Sequence, residues 1–169
     1  TFKRMTNLDW EEILVRLAGF ATSQVGRDRL QWLKPLPSAA DAERSFAEIN
    51  EGMKVLALGK RPFMESTDLY LIWHQRLSKG AVLKTLELRD IRHFCLEILA
   101  LKEILKPHLT PWLKQIFAAL MDATDPLSAI DQIMTPEGEI RTDASENLYQ
   151  LFNEKNQVVR QTQGILDRL

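Results

Sequence analysis

The sequence holds a single cysteine, Cys95, among its 169 residues. One cysteine excludes an internal disulfide, and Cys95 has no Cys or His partner at the spacing of a zinc site. The three histidines, His74, His93 and His108, do not lie at ligand spacing from one another either. We therefore predict no metal site, and we interpret Cys95, beside an apolar helical stripe, as a small buried hydrophobe.

Long apolar runs and a large net charge are also missing. No run approaches the roughly 20 apolar residues that span a bilayer, and no signal peptide opens the chain. The formal net charge is -1, so a contact with DNA would need a local basic patch. Together with the lone cysteine, these features predict a cytoplasmic protein without a membrane partner.

Motifs for nucleotide chemistry and catalysis are absent as well. A phosphate-binding loop needs closely spaced glycines followed by Lys and then Ser or Thr, but Gly52 and Gly59 lie too far apart and Arg61 takes the hydroxyl position. His93 and Cys95 point in different directions on a predicted helix, so they do not form a base and nucleophile. We predict neither catalytic nor cofactor-binding residues in this chain.

Apolar residues recur at helical spacing along most of the sequence. Hydrophobic residues make up 45% of the chain and charged residues 27%, close to globular averages. No alternating segment is long enough for a real sheet. We predict an all-α fold, an irregular multi-helix bundle with a long C-terminal helix leaving it.

Three helices are predicted before residue 60. Residues that can cap their N-termini are Thr6 or Asn7, Thr22 or Ser23, and Ser38 or Asp41. Pro35 ends the second helix and Gly59 the third. Their apolar faces, which we expect to pack on a core, are Trp10, Ile13, Leu14, Leu17 and Phe20, then Val25, Leu30 and Leu33, then Ala42, Phe46, Ile49, Met53 and Leu56.

Four more helices follow a loop in which we expect Phe63 to turn inward. The fourth, roughly residues 68–79, ends at Gly80, and Thr85 caps the fifth. Thr110-Pro111 and Asp125-Pro126 open the sixth and seventh, because proline at the first helical position gives up only an unpaired amide. The residues expected to be buried in the fourth and fifth helices are Leu69, Ile72, Trp73 and Leu77, then Leu88, Ile91, Phe94, Ile98, Leu101 and Leu105. We also expect all four tryptophans to pack in the core.

The C-terminal stretch combines a turn with a long helix. Residues 132–134 and 139–141 can pair briefly as a tiny β-hairpin near Gly138, and Glu137 and Glu139 fall short of a calcium loop. A helix then follows Ala144-Ser145. Its seam positions, at alternating steps of four and three, are Leu148, Phe152, Lys155, Val159, Thr162, Leu166 and Leu169.

No Gly, Asn or Pro ends this last helix, so we expect a longer helix that has been cut, and Thr1 in place of Met suggests trimming at the front. We predict a helical core in residues 1–143 and the start of a long clamp or coiled-coil helix in 144–169.

The candidate nucleic-acid contacts form one predicted basic surface: Arg27, Arg29, Lys34, Lys60 and Arg61, with Arg16 as an alternative member. Charged residues on a helix more often form its solvated face than a binding site. A phosphate contact is the alternative interpretation.

An ordered series of short motifs resembles the second bacterial MutS family, the MutS paralogues with a C-terminal Smr nuclease domain. The motifs are Leu8-Asp9-Trp10-Glu11-Glu12-Ile13-Leu14, Leu17-Ala18, Thr22-Ser23-Gln24-Val25-Gly26, Leu30, Leu33-Lys34-Pro35-Leu36, Pro62-Phe63, Asp68-Leu69, Leu77, Lys79-Gly80, Val82-Leu83, Leu88, Gly138-Glu139-Ile140, Asp143-Ala144-Ser145 and Leu148. The similarity covers nearly the whole chain. Met64-Glu65 and Thr135-Pro136 depart from the family pattern.

This resemblance implies the N-terminal core or lever region of a dimeric, DNA-binding MutS-type ATPase, followed by a helical clamp arm. The parent protein would bind branched DNA, restrain homologous recombination and carry an endonuclease, or split collided ribosomes, and it would use ATP and magnesium. The chain itself is expected to hold no cofactor and to show no enzymatic activity. The alternative is a stand-alone helical scaffold that binds a partner protein between its helices. A small helical enzyme is disfavoured because no convergent catalytic set is visible.

Overall fold

A computed structural model describes residues 9–167 and confirms an all-α fold over that range. Its helices are α1 (Trp10–Ala18), α2 (Gln24–Gln31), α3 (Ala39–Ala57), α4 (Tyr70–Ser78), α5 (Thr85–Leu105), α6 (Pro111–Ala119), α7 (Thr124–Ile133) and α8 (Glu146–Leu166). Two short 3-10 turns lie at Ser66–Asp68 and Lys106–His108. The predicted β-hairpin is reduced to a single antiparallel bridge between Met134 and Ile140.

Several predicted helix boundaries are confirmed by their hydrogen bonds. The hydroxyl groups of Ser23, Ser38 and Ser145 accept bonds from backbone amides in the first turns of α2, α3 and α8, at 3.0, 3.1 and 3.2 Å. Gly59 and Gly80 follow α3 and α4 with φ of 73° and 64°, a left-handed conformation that glycine adopts without a steric cost.

Other predicted boundaries are wrong or fall elsewhere. Thr6 and Asn7 lie outside the described residues. Thr85 is the first residue of α5 rather than its cap, and the Glu87 side chain accepts the Lys84 amide at 2.7 Å. The helix α7 begins before Asp125-Pro126, at Thr124, whose amide donates to Asp122 at 3.0 Å.

The helix α5 passes through two core clusters. The first cluster joins α4, α5, α7 and the segments beside α7, through Trp73, Ile91, Cys95, Ile98, Ala123, Ile130 and Met134. The second joins α3, α5 and α6, through Val55, Leu105 and Leu113. Cys95 is only 1% exposed, which confirms its interpretation as a hydrophobe, and burial raises the pKa of its thiol.

A carboxylate joins α3 to the start of α6. Glu51 accepts the Trp112 and Leu113 amides at 3.0 and 3.2 Å and the Thr110 hydroxyl. These amides belong to the first turn of α6, where helix amides lack intrahelical partners. The bond from Thr110, followed by those from the amides, holds the pKa of Glu51 below its ordinary value.

Several apolar faces that the sequence predicts as buried are exposed. In α3, Phe46, Ile49, Met53 and Leu56 are all more than half exposed, and the buried residue is Val55 instead. Among the residues predicted to be buried in the fourth helix only Trp73 is buried, while Leu69, Ile72 and Leu77 are exposed. Phe20 and Trp32 are also largely exposed, so the expectation that every tryptophan packs in the core is wrong for Trp32.

The helix α8 leaves the bundle with none of its residues buried. Among its predicted seam positions, Leu148 is half-buried and Phe152, Val159 and Leu166 are exposed. Leu169 lies outside the described residues. The division into a core at 1–143 and an arm at 144–169 stays a prediction.

Candidate functional site

Two of the five predicted basic residues meet at the turn between α1 and α2. Arg27 donates through Nη1 to the Ala21 carbonyl at 3.4 Å, and Arg61 donates through Nη2 to the Phe20 carbonyl at 3.3 Å. The two guanidinium groups therefore bind adjacent carbonyl groups, although the residues are 34 positions apart in the sequence.

A carboxylate that was not among the predicted site residues, that of Asp68, lies at the same turn. Asp68 accepts the Gln24 amide at 2.9 and 3.1 Å and the Val25 amide at 3.4 Å. These are the first amides of α2, so Asp68 complements the positive end of that helix from a segment more than 40 residues away. No local sequence signal distinguishes such a long-range cap from an ordinary surface aspartate.

The other three predicted basic residues, Arg29, Lys34 and Lys60, are exposed. Arg29 lies two positions from Arg27 on α2, so their side chains point to different sides of the helix. None of the five takes part in an ion pair within residues 9–167. The structure thus brings Arg27 and Arg61 together, and nucleic-acid contact by the five residues stays a prediction.

An apolar groove of about 410 Å³ lies between α3, α5 and α6. Its lining includes Val55, Leu101, Trp112 and Ile116. Phe63 also lines this groove but is 52% exposed, so the prediction that it turns inward is wrong. The groove adjoins the exposed stripe of α3, since Leu56 belongs to both. This region of the surface can accommodate apolar side chains.

A second cavity, of about 610 Å³, is lined by aromatic rings from α4 and α5. Tyr70 stacks on His74 with ring centroids 4.8 Å apart, and it meets Trp73 edge-on at 4.9 Å. Phe94 packs against Tyr70 and Trp73. Edge-to-face and offset stacking are the arrangements that aromatic side chains prefer in a core. Tyr70, Trp73 and Phe94 accordingly pack as part of the first core cluster, while His74 is exposed.

One group of potential metal ligands brings Glu65, His93 and Glu97 within 4.8 Å of one another. The carboxylate of Glu97 is already engaged, because it accepts the Glu65 and Ser66 amides at 2.9 and 3.0 Å and the Ser66 hydroxyl. Burial raises the pKa of Glu97, but the bonds from Ser66 and Glu65 outweigh burial and lower it overall. This geometry supports a structural role, in which Glu97 holds the Ser66–Asp68 turn on α5.

Catalysis by His93 and Cys95 has no geometric support. His93 is exposed on α5 and lies 3.2 Å from Glu97, whereas the Cys95 side chain is buried in the first core cluster. Within residues 9–167, none of the helices combines the length and apolar character needed to cross a bilayer.

No family model matches the chain. The chain is 27% identical over 161 residues to an endonuclease MutS2 from Pelotomaculum thermopropionicum, an alignment that covers 88% of the chain and 19% of that protein. It is 23% identical over 162 residues to the endonuclease MutS2 of Halothermothrix orenii, covering 89% of the chain and 20% of that protein. A third endonuclease MutS2, from Bacillus velezensis, is 29% identical over 90 residues, covering 53% of the chain and 11% of that protein.

The chain therefore spans about a fifth of the length of the relatives that match most of it. The three matches carry the same name, and two of them extend over most of the chain. The chain is related to the MutS2 endonucleases.

Proposed function

We propose that this MutS2-related chain is the helical lever of a DNA-binding ATPase and endonuclease. The lever would carry movements between a nucleotide-binding part of the full-length protein and a clamp arm that begins with α8. The full-length protein would act as a homodimer with ATP and magnesium. Its target would be branched DNA, where it suppresses homologous recombination, or a collided ribosome.

The single observation that carries this proposal is the geometry of α8. This helix is 21 residues long and buries none of them, so at about 1.5 Å per residue it extends roughly 30 Å. Ser145 caps its first turn, and the bridge between Met134 and Ile140 lies just before it, with Met134 in the core. A helix fixed at one end and free along its length suits an arm.

Close packing explains how the bundle would transmit a movement. Packed helices shift as bodies rather than deform continuously. The helix α5 contacts α4, α6 and α7 and passes through both core clusters. A displacement applied to one cluster would therefore be passed along α5 to the other and to the segment that carries α8.

The test interrupts α8 in the full-length protein. Proline at an interior helix position removes a hydrogen bond and clashes with the preceding turn, at a cost of about 3 kcal/mol or more. Gln157 is exposed near the middle of α8, so Gln157→Pro breaks the arm without opening the core, and Gln157→Ala is the matched control. We expect Gln157→Pro to keep basal ATP hydrolysis and lose its stimulation by four-way junction DNA.

If junction DNA stimulates ATP hydrolysis by Gln157→Pro as strongly as it stimulates hydrolysis by Gln157→Ala, the proposal that the chain acts as a lever is wrong. For the chain alone we expect weak or no binding to junction DNA, because its formal net charge is -1 and the guanidinium groups of Arg27 and Arg61 already donate to backbone carbonyl groups. Tight binding with a steep salt dependence would contradict this expectation and reveal a phosphate-binding surface on the chain. A pull-down with the full-length protein separates ribosomal from DNA targets.

The exposed stripe of α3 favours a second candidate function, a helical scaffold that binds a partner protein. Four large apolar residues lie on this stripe, next to the apolar groove of about 410 Å³. An amphipathic helix with apolar residues three and four positions apart would fit such a surface. Met53→Glu should then abolish capture of a partner by the full-length protein, whereas Lys54→Glu, on a neighbouring exposed position of α3, should preserve it.

A further inference from the structure

The α1–α2 hairpin, residues 10–31, lies apart from both core clusters. Its buried residues, Leu14 and Ala18, belong to neither cluster, and α2 buries no residue at all. The two helices pack extensively on each other, and α2 meets the remainder of the described chain at the Ser66–Asp68 turn. Apolar packing therefore holds the hairpin together more than it holds the hairpin to the bundle.

Hydrogen bonds at the surface attach the hairpin to the bundle. The Asp68 carboxylate accepts the Gln24 and Val25 amides, and Arg61 donates to the Phe20 carbonyl. All of these bonds are exposed, so water competes for each donor and acceptor and the net stabilisation from each is small. The attachment is correspondingly easy to open.

The Ser66–Asp68 turn, on the bundle side of this attachment, is held firmly to the core. Ser66 is buried, and the Glu97 carboxylate on α5 holds its amide, its hydroxyl and the Glu65 amide. Thr67 adds a bond from its hydroxyl to the Met64 carbonyl at 3.0 Å. The turn that presents Asp68 is thus anchored to the core, while the bonds from Asp68 to the hairpin lie in water.

We propose that the α1–α2 hairpin is an arm that opens separately from the bundle, and that the Asp68 carboxylate is the clip that holds it closed. When the clip opens, water hydrates the first amides of α2 and the hairpin swings about residues 32–38. Arg27 then moves away from Arg61 while both core clusters stay intact. This device needs neither ATP nor DNA, so it does not depend on the lever proposed above.

Amide hydrogen exchange of Asp68→Ala tests the clip. Removing a side chain that caps a helix typically shifts the local equilibrium by roughly fivefold, so the amides of residues 14–18 and 28–31 should exchange about fivefold faster. Those of residues 91–98 in α5 should keep their rates. Asp122→Ala is the matched control, because Asp122 accepts an amide at the start of α7 rather than in the hairpin, and it should leave hairpin exchange unchanged.

Two results would overturn the proposal. Hairpin exchange in Asp68→Ala at the wild-type rate would show that the carboxylate does not hold the arm, and equal acceleration in the hairpin and α5 would show that the two open as one unit. Glu97→Gln gives a second reading, because loosening the anchored turn should also accelerate hairpin exchange. An unchanged hairpin rate in Glu97→Gln would contradict the anchoring of the clip.

Discussion

Truncation of Ile98 and of Ile49 to alanine compares the same chemical change at two positions. The sequence pattern alone does not distinguish these positions. Both isoleucines lie on predicted helical stripes, but Ile98 is 3% exposed in the first core cluster and Ile49 is 52% exposed on α3. Replacing each by alanine removes the same atoms. The structure predicts very different effects on the free energy of unfolding.

The expected loss at Ile98 is about 3 kcal/mol, because truncating a buried isoleucine loses its transfer free energy and leaves a cavity. In a chain of this length each kcal/mol lowers Tm by about 2–4 °C, so Ile98→Ala should melt roughly 9 °C below the wild type. Ile49→Ala leaves no enclosed cavity. Its smaller transfer loss is partly offset by the higher helix propensity of alanine, so we expect a change of about 0.5 kcal/mol or less.

Urea denaturation followed by tryptophan fluorescence and by circular dichroism measures both variants. Trp73, one of the four tryptophans that contribute to the emission, packs in the same cluster as Ile98, so its contribution reports on that core. Equal destabilisation by the two substitutions would contradict this prediction, because it would mean that the α3 stripe is covered in solution. A second copy of the chain on that stripe would also make the effect of Ile49→Ala depend on protein concentration.

Other predictions concern titration, thiol access and glycine conformation. The folded pKa of Glu97 is lowered, so its stabilisation is present above the ordinary glutamate pKa and is lost as the pH falls through the folded pKa; Tm measured between about pH 6 and 3 should therefore fall less in Glu97→Gln than in the wild type. Cys95 is buried and its thiol pKa is raised, so a disulfide reagent should modify it at a useful rate only after urea unfolds the chain. Gly138 has φ of 90° and an added Cβ would lie 2.8 Å from Arg89 Cδ, so Gly138→Ala should destabilise the fold by about 1 kcal/mol or more. Gly164→Ala, in open space on α8, should instead increase helix content measured by circular dichroism.

The spacing of apolar residues predicted the positions of the helices more accurately than it predicted which faces of the helices are buried. The predicted burial of the α5 stripe is correct at Ile91 and Ile98, because α4 and α7 pack on it. The equally regular stripe of α3 is exposed at Phe46 and Ile49. An apolar face shows that a helix is able to pack against another segment. Whether that face is buried depends on where the other segments of the chain lie. The pattern within one helix contains no information on that position.

The candidate site was the least predictable part for the same reason. The sequence identified Arg27 and Arg61 as basic residues, but their meeting depends on how the α1–α2 turn lies against the loop that follows α3. No local sequence pattern marks Asp68 as a helix cap, because the amides that it binds are more than 40 residues away in the sequence. Local caps such as Ser145 were predictable, since donor and acceptor lie three residues apart.

Three joints in the fold share one chemical arrangement, in which a carboxylate binds backbone amides of another segment. Glu51, Asp68 and Glu97 each do so. A backbone amide is supplied by every residue type except proline, so the amide donors of each joint tolerate almost any substitution, while the acceptor must remain an acid. The hydroxyl groups of Thr110 and Ser66 add side-chain donors to Glu51 and Glu97, and these two bonds do depend on residue type. Relatives of this chain can therefore diverge widely around these joints without losing them, provided that the three acids persist and no proline enters at the amides they bind.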